Sequence, residues 1–450
     1  MTISSVTSPR RSESRQGRTS GLRGGLGVML LGFVGMTLAS SVDPSLCRAQ
    51  LDITSPPIDY LKATPRDAIS RLQTEIDAGH VKLAFDSHFG FLPAVLEKLQ
   101  VPRTSQALVF SKTSLQVKYI SPRSPRAIYF NDDVYVGWVQ GGQIEVSAVD
   151  PELGANFYLL EQYETDKPRF VRRTYECLQC HGSVLTRDVP GHVVRSVPVG
   201  PDGHLTSRTE TFVTDQNSPF QERWGGWYVS GRHGDQRHMG NLFVRRSDDP
   251  KSLDLNPGAN VEDLDRYFET ANYFTPHSDI VALLVLTHQA NLHNRLTRAA
   301  FLTRLALRDD PNPTDATRKR IQEAAEPVVR HMLFSEEVAL TAPIIGSSKF
   351  TEEFAARGPR DGRGRSLRNF DLTRRLFQFP CSFLIYSEQF DKLPPLLKEE
   401  VYRQLGRVLS GDDRANAYAH VSNDDRQAIR EILTDTKTDL PDFWPASGRK

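Results

Sequence analysis

The chain has 450 residues, of which 38% are hydrophobic and 25% charged, proportions typical of a soluble globular protein with two or three domains. Its formal net charge is +1, so no overall positive field indicates a nucleic-acid partner. After residue 50 no apolar run is long enough to span a bilayer, which argues against a multi-pass membrane protein.

The N-terminal segment predicts export. Residues 1–25 are rich in Ser, Arg and Gly, and residues 26–40 form an uncharged apolar run. A run of 15 residues suits the apolar region of a signal peptide better than a membrane span. We therefore expect residues 1–49 to be a signal peptide or N-terminal anchor, cleaved after Cys47-Arg48-Ala49. The protein is then expected in the periplasm or exported, and any anchoring at the inner membrane would use this segment alone.

Residues 50–165 are predicted to form a helix followed by an antiparallel sheet. The helix is expected from Thr64-Pro65 to Ala78, because Pro is favoured in a first helical turn. Farther on, β-type apolar runs are separated by Asn131-Asp132-Asp133 and by Gly141-Gly142, which are typical hairpin turns.

Residues 166–250 contain the motif most informative about chemistry, CLQCHG at 177–182. A Cys-x-x-Cys pair on a helical turn can form thioethers with both vinyl-derived carbons of haem, and the next histidine reaches the iron. We expect a short helix over about 172–181 and one covalent haem c. Cys177 and Cys180 would attach the haem, and His181 would be its proximal iron ligand.

Two other chemistries use such a cysteine pair. His233 and His238 could complete a Cys2His2 zinc site, although the 52 residues between the pairs are many and His181 is then without a role. A redox dithiol should follow a buried strand and open a longer helix, whereas Gly182 ends this helix at once. The haem interpretation is favoured, and zinc binding is the weaker alternative.

The second axial position of the iron is less defined by the sequence. Met239, on a Gly-rich loop downstream of the haem motif, is the favoured candidate. His238, His233 and His288 are the alternatives. The two loop histidines are otherwise expected to be solvated, and His288 is expected to be a core histidine on an apolar helix stripe. His293 lies off that stripe and is expected to be a surface or capping residue.

Other residues are expected around the porphyrin because of their chemistry. Aromatic rings pack on its faces, and arginines pair with its two propionates. The candidates are Trp224, Trp227, Tyr228, Arg169, Arg172, Arg173 and Arg195.

Residues 255–450 are predicted to be mainly helical. A long amphipathic helix is expected over 277–307, because apolar side chains recur there at helical spacing. Cys381 lies in an apolar setting and is expected to act as a small buried hydrophobic residue. Further helices are expected near 314–335, 350–357, 394–409 and 423–434.

The chain resembles a family of exported single-haem proteins, mostly described as cytochrome c domain-containing. The resemblance is carried by ECLQCHGSVLTRDVPGHVVRSV, DQNSPFQERWGGWYVSGRHGDQRHMGNLF and PHSDIVALLVLTHQANLHN, and it extends from near residue 107 to the end. It implies haem c at Cys177, Cys180 and His181, with electron transfer as the activity.

The predicted fold class is α+β, with antiparallel hairpins around the haem motif and a helical C-terminal half. A small all-α cytochrome c would continue in helices after the motif, whereas this chain turns to a hairpin and a Gly-rich loop. The haem is therefore expected between the β segments and the helical half.

Three function hypotheses follow. An electron carrier needs a six-coordinate haem and redox partner proteins, which the sequence does not identify. A single-haem oxidoreductase, peroxidase- or oxidase-like, needs an open sixth site. A haem-based sensor, or a subunit of a larger respiratory assembly, would explain the size of the helical region. The sequence leaves open whether the protein is an enzyme.

Overall fold

The computed structural model describes residues 51–206, 211–245, 248 and 253–445. The predicted signal peptide or anchor, residues 1–49, lies outside the described residues. Within the described part of the chain, no helix combines the length and apolarity needed to cross a membrane.

Short antiparallel strands make up the β part of the fold. In chain order they are β1 (Ala107–Val109), β2 (Arg126–Phe130), β3 (Val134–Trp138), β4 (Ile144–Asp150), β5 (Gly154–Leu160), β6 (Phe170–Arg173), β7 (Arg195–Ser196), β8 (Phe212–Val213), β9 (Trp227–Tyr228), β10 (Gly231–Arg232) and β11 (Ile345–Gly346).

Helices dominate the C-terminal half. In chain order they are α1 (Ala68–Asp77), α2 (Leu92–Lys98), α3 (Tyr175–His181), α4 (Ile280–Asp309), α5 (Asp315–Met332), α6 (Phe350–Ala356), α7 (Glu388–Asp391), α8 (Pro395–Ser410) and α9 (Asn423–Thr436).

The main sheet has seven strands in the order β6-β5-β4-β3-β2-β1-β9. Both predicted hairpins are confirmed, because β2 pairs with β3 and β3 pairs with β4, each antiparallel. Strand β9 joins the sheet from far along the chain, with Leu108 opposite Tyr228. The predicted α+β class is confirmed at this level: the sheet lies in the N-terminal half and most helices follow it.

Both faces of the sheet are covered, so all five residues of β3 are buried. One face packs against α1, α2 and the segment 261–273. The other face packs against α4, and their side chains belong to one apolar cluster with the helices that follow. Alternate residues of each strand therefore contribute to different cores, as the twofold side-chain period of a strand requires.

Helix α1 begins later than predicted because its cap is Asp67, not Thr64-Pro65. The Asp67 carboxylate accepts hydrogen bonds from the backbone N–H groups of Ile69 and Ser70, both at 2.9 Å. It also accepts from the Tyr158 hydroxyl at 2.7 Å, which ties α1 to strand β5.

Helix α4 is the long helix predicted over 277–307, and its cap is Asp279. The carboxylate of Asp279 accepts from the Val281 N–H and from the Ser348 hydroxyl, both at 2.8 Å. The expectation that His293 lies at the surface is wrong, because its side chain is buried against the sheet and α7. The helix over 172–181 is shorter than predicted, because Arg172 and Arg173 belong to β6.

Candidate functional site

A cavity of about 300 Å³ lies where α3, the main sheet and α4 meet. This volume is in the range of small-molecule sites, which are about 300–1,000 Å³. Cys177, Cys180 and His181 line it from α3, and Leu286 and Ala290 line it from α4. The strands contribute Ile128, Tyr135, Gly137, Glu145, Ser147, Phe157 and Leu159.

His181 is held in one orientation. Its Nδ1 lies 2.9 Å from the carbonyl oxygen of Gly191, which can only accept, so Nδ1 carries the proton. The Gly191 N–H in turn donates to the His181 carbonyl at 2.8 Å. Burial lowers the pKa of His181, so the ring is neutral at pH 7. The Nε2 lone pair therefore remains available for a metal ion.

The two motif cysteines are free thiols at the rim of the cavity. Cys177 is half-buried and Cys180 is exposed. Burial raises the pKa of the Cys177 thiol to about 11, and the carboxylates of Glu145 and Glu176 add to this effect. Reactive thiols have depressed pKa values instead. The environment of Cys177 is thus the opposite of that expected for a redox dithiol.

The cavity floor is one face of the sheet. Tyr135, Ser147 and Phe157 lie side by side on β3, β4 and β5, because the register pairs Tyr135 with Ser147 and Ser147 with Phe157. The His181 ring lies 4.8 Å from the Phe157 ring. Gly137 lies on β3 two residues after Tyr135 and also lines the cavity. It has no side chain, so a bound group can approach the backbone at this position.

His192 is a cavity residue that the sequence pattern did not indicate. Its side chain is only 7% exposed, and its ring lies 4.2 Å from the Tyr135 ring. Nε2 lies 2.7 Å from the Ser147 hydroxyl, whereas Nδ1 is buried without a hydrogen-bond partner among the described residues. The available signal was weak, because in the sequence His192 only follows His181 by eleven residues and belongs to no recognised motif.

A charged pair lies in the cavity wall. Arg126 on β2 donates to the Glu145 carboxylate on β4 at 2.7 Å, and each side chain is about one-fifth exposed. Ser114 also contacts Glu145, at 3.4 Å. Of the arginines predicted to meet propionates, Arg195 lines the cavity. Arg172 does not, because its guanidinium donates to the carbonyls of Ala63 and Tyr60.

The predicted candidates for the second axial position lie elsewhere. Met239 is half-buried and is not on the cavity wall; its sulfur lies 3.9 Å from the Ser196 hydroxyl. His288 is a core histidine, as expected, with both ring nitrogens bonded to Gln216 and Ser382. The structure therefore brings neither of these two residues to the motif.

The two loop histidines are buried, so the expectation that they are solvated is wrong. His233 donates from Nδ1 to the Gln236 carbonyl at 2.8 Å and accepts at Nε2 from the Asn260 N–H. His238 accepts at Nδ1 from the Gly240 N–H, and burial lowers its pKa to about 3. Their rings are 4.8 Å apart and do not line the cavity.

The three aromatic residues predicted to pack on the porphyrin lie in different parts of the structure. Trp227 lines the cavity. Trp224 is fully buried against Phe220 and His238, and Tyr228 packs in the opposite core of the sheet. The prediction for Cys381 is confirmed: it is completely buried in the helical core.

Residues 51–206, 211–245, 248 and 253–445 contain no group of three or more His, Cys, Asp or Glu side chains arranged to hold a metal ion. The cysteine pair and the pair His233 and His238 are not brought together. A Cys2His2 zinc site thus has no assembled ligand set in this part of the chain.

Comparison of the chain with protein-family models, with curated proteins and with solved structures found no match.

The residues of the cavity fit a c-type haem. The motif offers two thiols at the rim and a neutral imidazole with a free Nε2. Aromatic and aliphatic side chains line the walls, and Arg126 and Arg195 are cations on the wall that propionates could pair with. His192 also lines this cavity, and its buried Nδ1 has no partner among the described residues.

Proposed function

We propose that this protein is an exported c-type cytochrome with one covalently attached haem, and that it acts in electron transfer. One observation carries the proposal: Cys177, Cys180 and His181 line a single ligand-sized cavity, and His181 is fixed as the tautomer whose Nε2 is free. Haem, when bound there, supplies reversible one-electron chemistry.

Each part of the cavity has a role in this proposal. Cys177 and Cys180 form the thioethers, and Gly191 orients His181 through the Nδ1–H bond. Arg126 and Arg195 are the cations for propionates. The apolar walls limit water access, which favours the less charged state of an iron centre and so influences its potential. The electron donor and acceptor are redox proteins that the sequence does not identify.

A second candidate is a single-haem oxidoreductase of peroxidase or oxidase type. It is favoured by the hydrogen-bonded pair of Arg126 and Glu145 in the cavity wall. An ionisable pair beside a reactive centre can move protons to or from a substrate. This candidate requires that one axial position of the iron be open to a small molecule.

The test is to produce the full chain in a bacterium that attaches haem c in its periplasm. We expect one covalent haem per chain by the pyridine haemochrome assay, and the haem mass on the peptide that contains Cys177 and Cys180. The double variant Cys177→Ala/Cys180→Ala should lose more than about nine-tenths of the covalent haem, because both thioether bonds are removed.

Cys381→Ala is the matched control, because this cysteine is completely buried in the helical core, away from the cavity, and haem content should not change. A protein that carries stoichiometric zinc and no covalent haem would refute the proposal. Rapid peroxide turnover with a high-spin spectrum would favour the oxidoreductase candidate.

A further inference from the structure

A side chain that serves as the second axial ligand must lie on the cavity wall. Besides the motif residues, the wall residues of the types that ligate haem iron in proteins are His192, Tyr135 and Tyr158. The Tyr158 hydroxyl donates to Asp67, and the Tyr135 hydroxyl accepts from the Gln289 amide. Both hydroxyls are thus already engaged in hydrogen bonds to other side chains. Among the described wall residues this leaves His192.

The hydrogen bonding of His192 suits a metal ligand. Ser147 can accept from Nε2–H at 2.7 Å, which leaves the lone pair on Nδ1. Ligating histidines usually donate their second ring N–H to a neighbouring group in this way. Nδ1 is buried without a partner in the described part of the chain, and a buried polar group in that state is unfavourable unless something binds it.

The His192 and His181 rings both lie over the cross-strand row formed by Tyr135, Ser147 and Phe157. The His192 ring lies on Tyr135 and the His181 ring on Phe157, with Ser147 on the strand between them. Strands β3 and β5 are therefore two strand spacings apart, about 10 Å. The two rings contact different strands, and the cavity that both line is the place where a group could contact each of them.

The backbone of His192 is fixed from the opposite side by helix α4. The side chain of Asn294 accepts from the His192 N–H at 2.8 Å and donates to the His192 carbonyl at 2.6 Å. Gly191 permits this approach, because a Cβ there would lie 2.2 Å from the Asn294 oxygen. His192 is thus held by a rigid element, as a precise binding site requires.

We propose that His192 is the second axial ligand of the haem iron, bound through Nδ1. The proposal rests on the proposed function, because it needs a haem in the cavity. It replaces Met239 in that role and predicts an iron with two histidine ligands.

Optical and electron paramagnetic resonance spectra of the purified haem protein test the proposal. Wild type should be low-spin, without the near-infrared charge-transfer band of a histidine–methionine pair. His192→Ala should keep its covalent haem and become high-spin, and added imidazole should restore the low-spin spectrum. Met239→Ala and His204→Ala, the latter at an exposed histidine, should match wild type.

The outcomes separate the two proposals. Absence of covalent haem in wild type refutes the proposed function itself. A wild-type haem that is high-spin, or that has histidine–methionine ligation, overturns the assignment of His192 while the haem proposal stands. A His192→Ala protein with the wild-type low-spin spectrum overturns it too. If His192→Ala does not accumulate, the wild-type spectra still decide, and His192→Met should convert the ligand pair to histidine–methionine.

Discussion

His288 shows how a buried imidazole is accommodated in this fold. The amide oxygen of Gln216 can only accept, so His288 donates from Nδ1 at 2.9 Å and accepts at Nε2 from the Ser382 hydroxyl at 2.8 Å. The ring stacks 4.2 Å from Phe334 and 5.0 Å from His331. A neutral ring satisfies both nitrogens, and neither partner carries a negative charge that would stabilise the imidazolium form.

This arrangement predicts instability in acid. Burial, with smaller contributions from the nearby His293 and Arg295, lowers the pKa of His288 to about 3. In the unfolded chain a histidine has a pKa near 6.5, so the stabilisation is complete above that pH and is lost as the pH falls toward 3. Between pH 7 and pH 4 this group should cost about 3 kcal/mol of unfolding free energy.

Urea unfolding of wild type and His288→Gln at pH 7 and pH 4 measures this effect. The variant should be less stable at pH 7 but should lose about 3 kcal/mol less on acidification. His88→Gln, at an exposed site, is the control and should keep the wild-type pH dependence. Equal losses for His288→Gln and wild type would contradict the prediction.

The histidines also show which residue-level features the sequence predicts. Helical periodicity placed His288 in the core correctly, because its neighbours on the stripe are apolar. It failed for His293, whose partners are the Asp132 carbonyl and the Gln389 side chain from distant segments. His192 was missed for the same reason: its position depends on Asn294 and Ser147, which lie far away in the sequence.

At the scale of elements, strand β3 is both part of the buried sheet and part of the cavity wall. Its residues are buried on both sides, yet Gly137 at its fourth position contributes backbone alone to the cavity floor. A Cβ at Gly137 would meet its nearest atoms, on Arg126 and Glu145, at 3.4 Å and 3.5 Å, so the strand itself tolerates a side chain.

Gly137→Leu should therefore fold and yet exclude the haem. The added side chain points into the cavity, and overpacking of this kind costs about 1–3 kcal/mol. We expect the yield of covalent haem to fall by roughly tenfold, while the far-ultraviolet circular dichroism spectrum is unchanged. Gly362→Leu, on an exposed turn where the atom nearest to an added Cβ would be 3.6 Å away, should have no effect on haem yield. An unchanged yield in Gly137→Leu would show that this cavity does not hold the haem.

Elements defined by local signals were predicted well. The hairpins of β2, β3 and β4 follow from turn residues between apolar runs, and α3 from the motif and Gly182. Elements defined by distant partners were not. The edge strand β6 is polar, with three of its four residues outside the core, so its sequence lacks the apolar alternation of a strand. The pairing of β1 with β9 has no local signature.

At the scale of the whole molecule, the helical half completes the core of the sheet. Val109, Phe130, Tyr135 and Val149 belong to the same apolar cluster as α4, α5 and α8. The sequence predicted the order of sheet and helices. It could not predict that the sheet and the helices share one core, or that α4 packs on the sheet within this core and forms part of the cavity wall.

A fragment of residues 51–255 should consequently fail to form a native sheet. Removal of α4 would expose a contiguous apolar face, and such faces cause aggregation or molten states. We expect the fragment to lack near-ultraviolet circular dichroism and to bind a hydrophobic dye, whereas residues 51–445 should unfold cooperatively. Cooperative unfolding of the shorter fragment would indicate an independent domain.

The position of α3 has a consequence for how the protein is made. No residue of α3 is fully buried: Cys177 and His181 are half-buried, and Cys180 is exposed on this helix, which follows the edge strand β6 in the chain. If haem is attached at this helix as proposed, thioether formation does not require an unfolded chain, because Cys180 is exposed and Cys177 is only half-buried after the core has closed. Folding of the chain and attachment of the proposed haem can then be separate events in time, and a folded precursor without haem would be a distinct species.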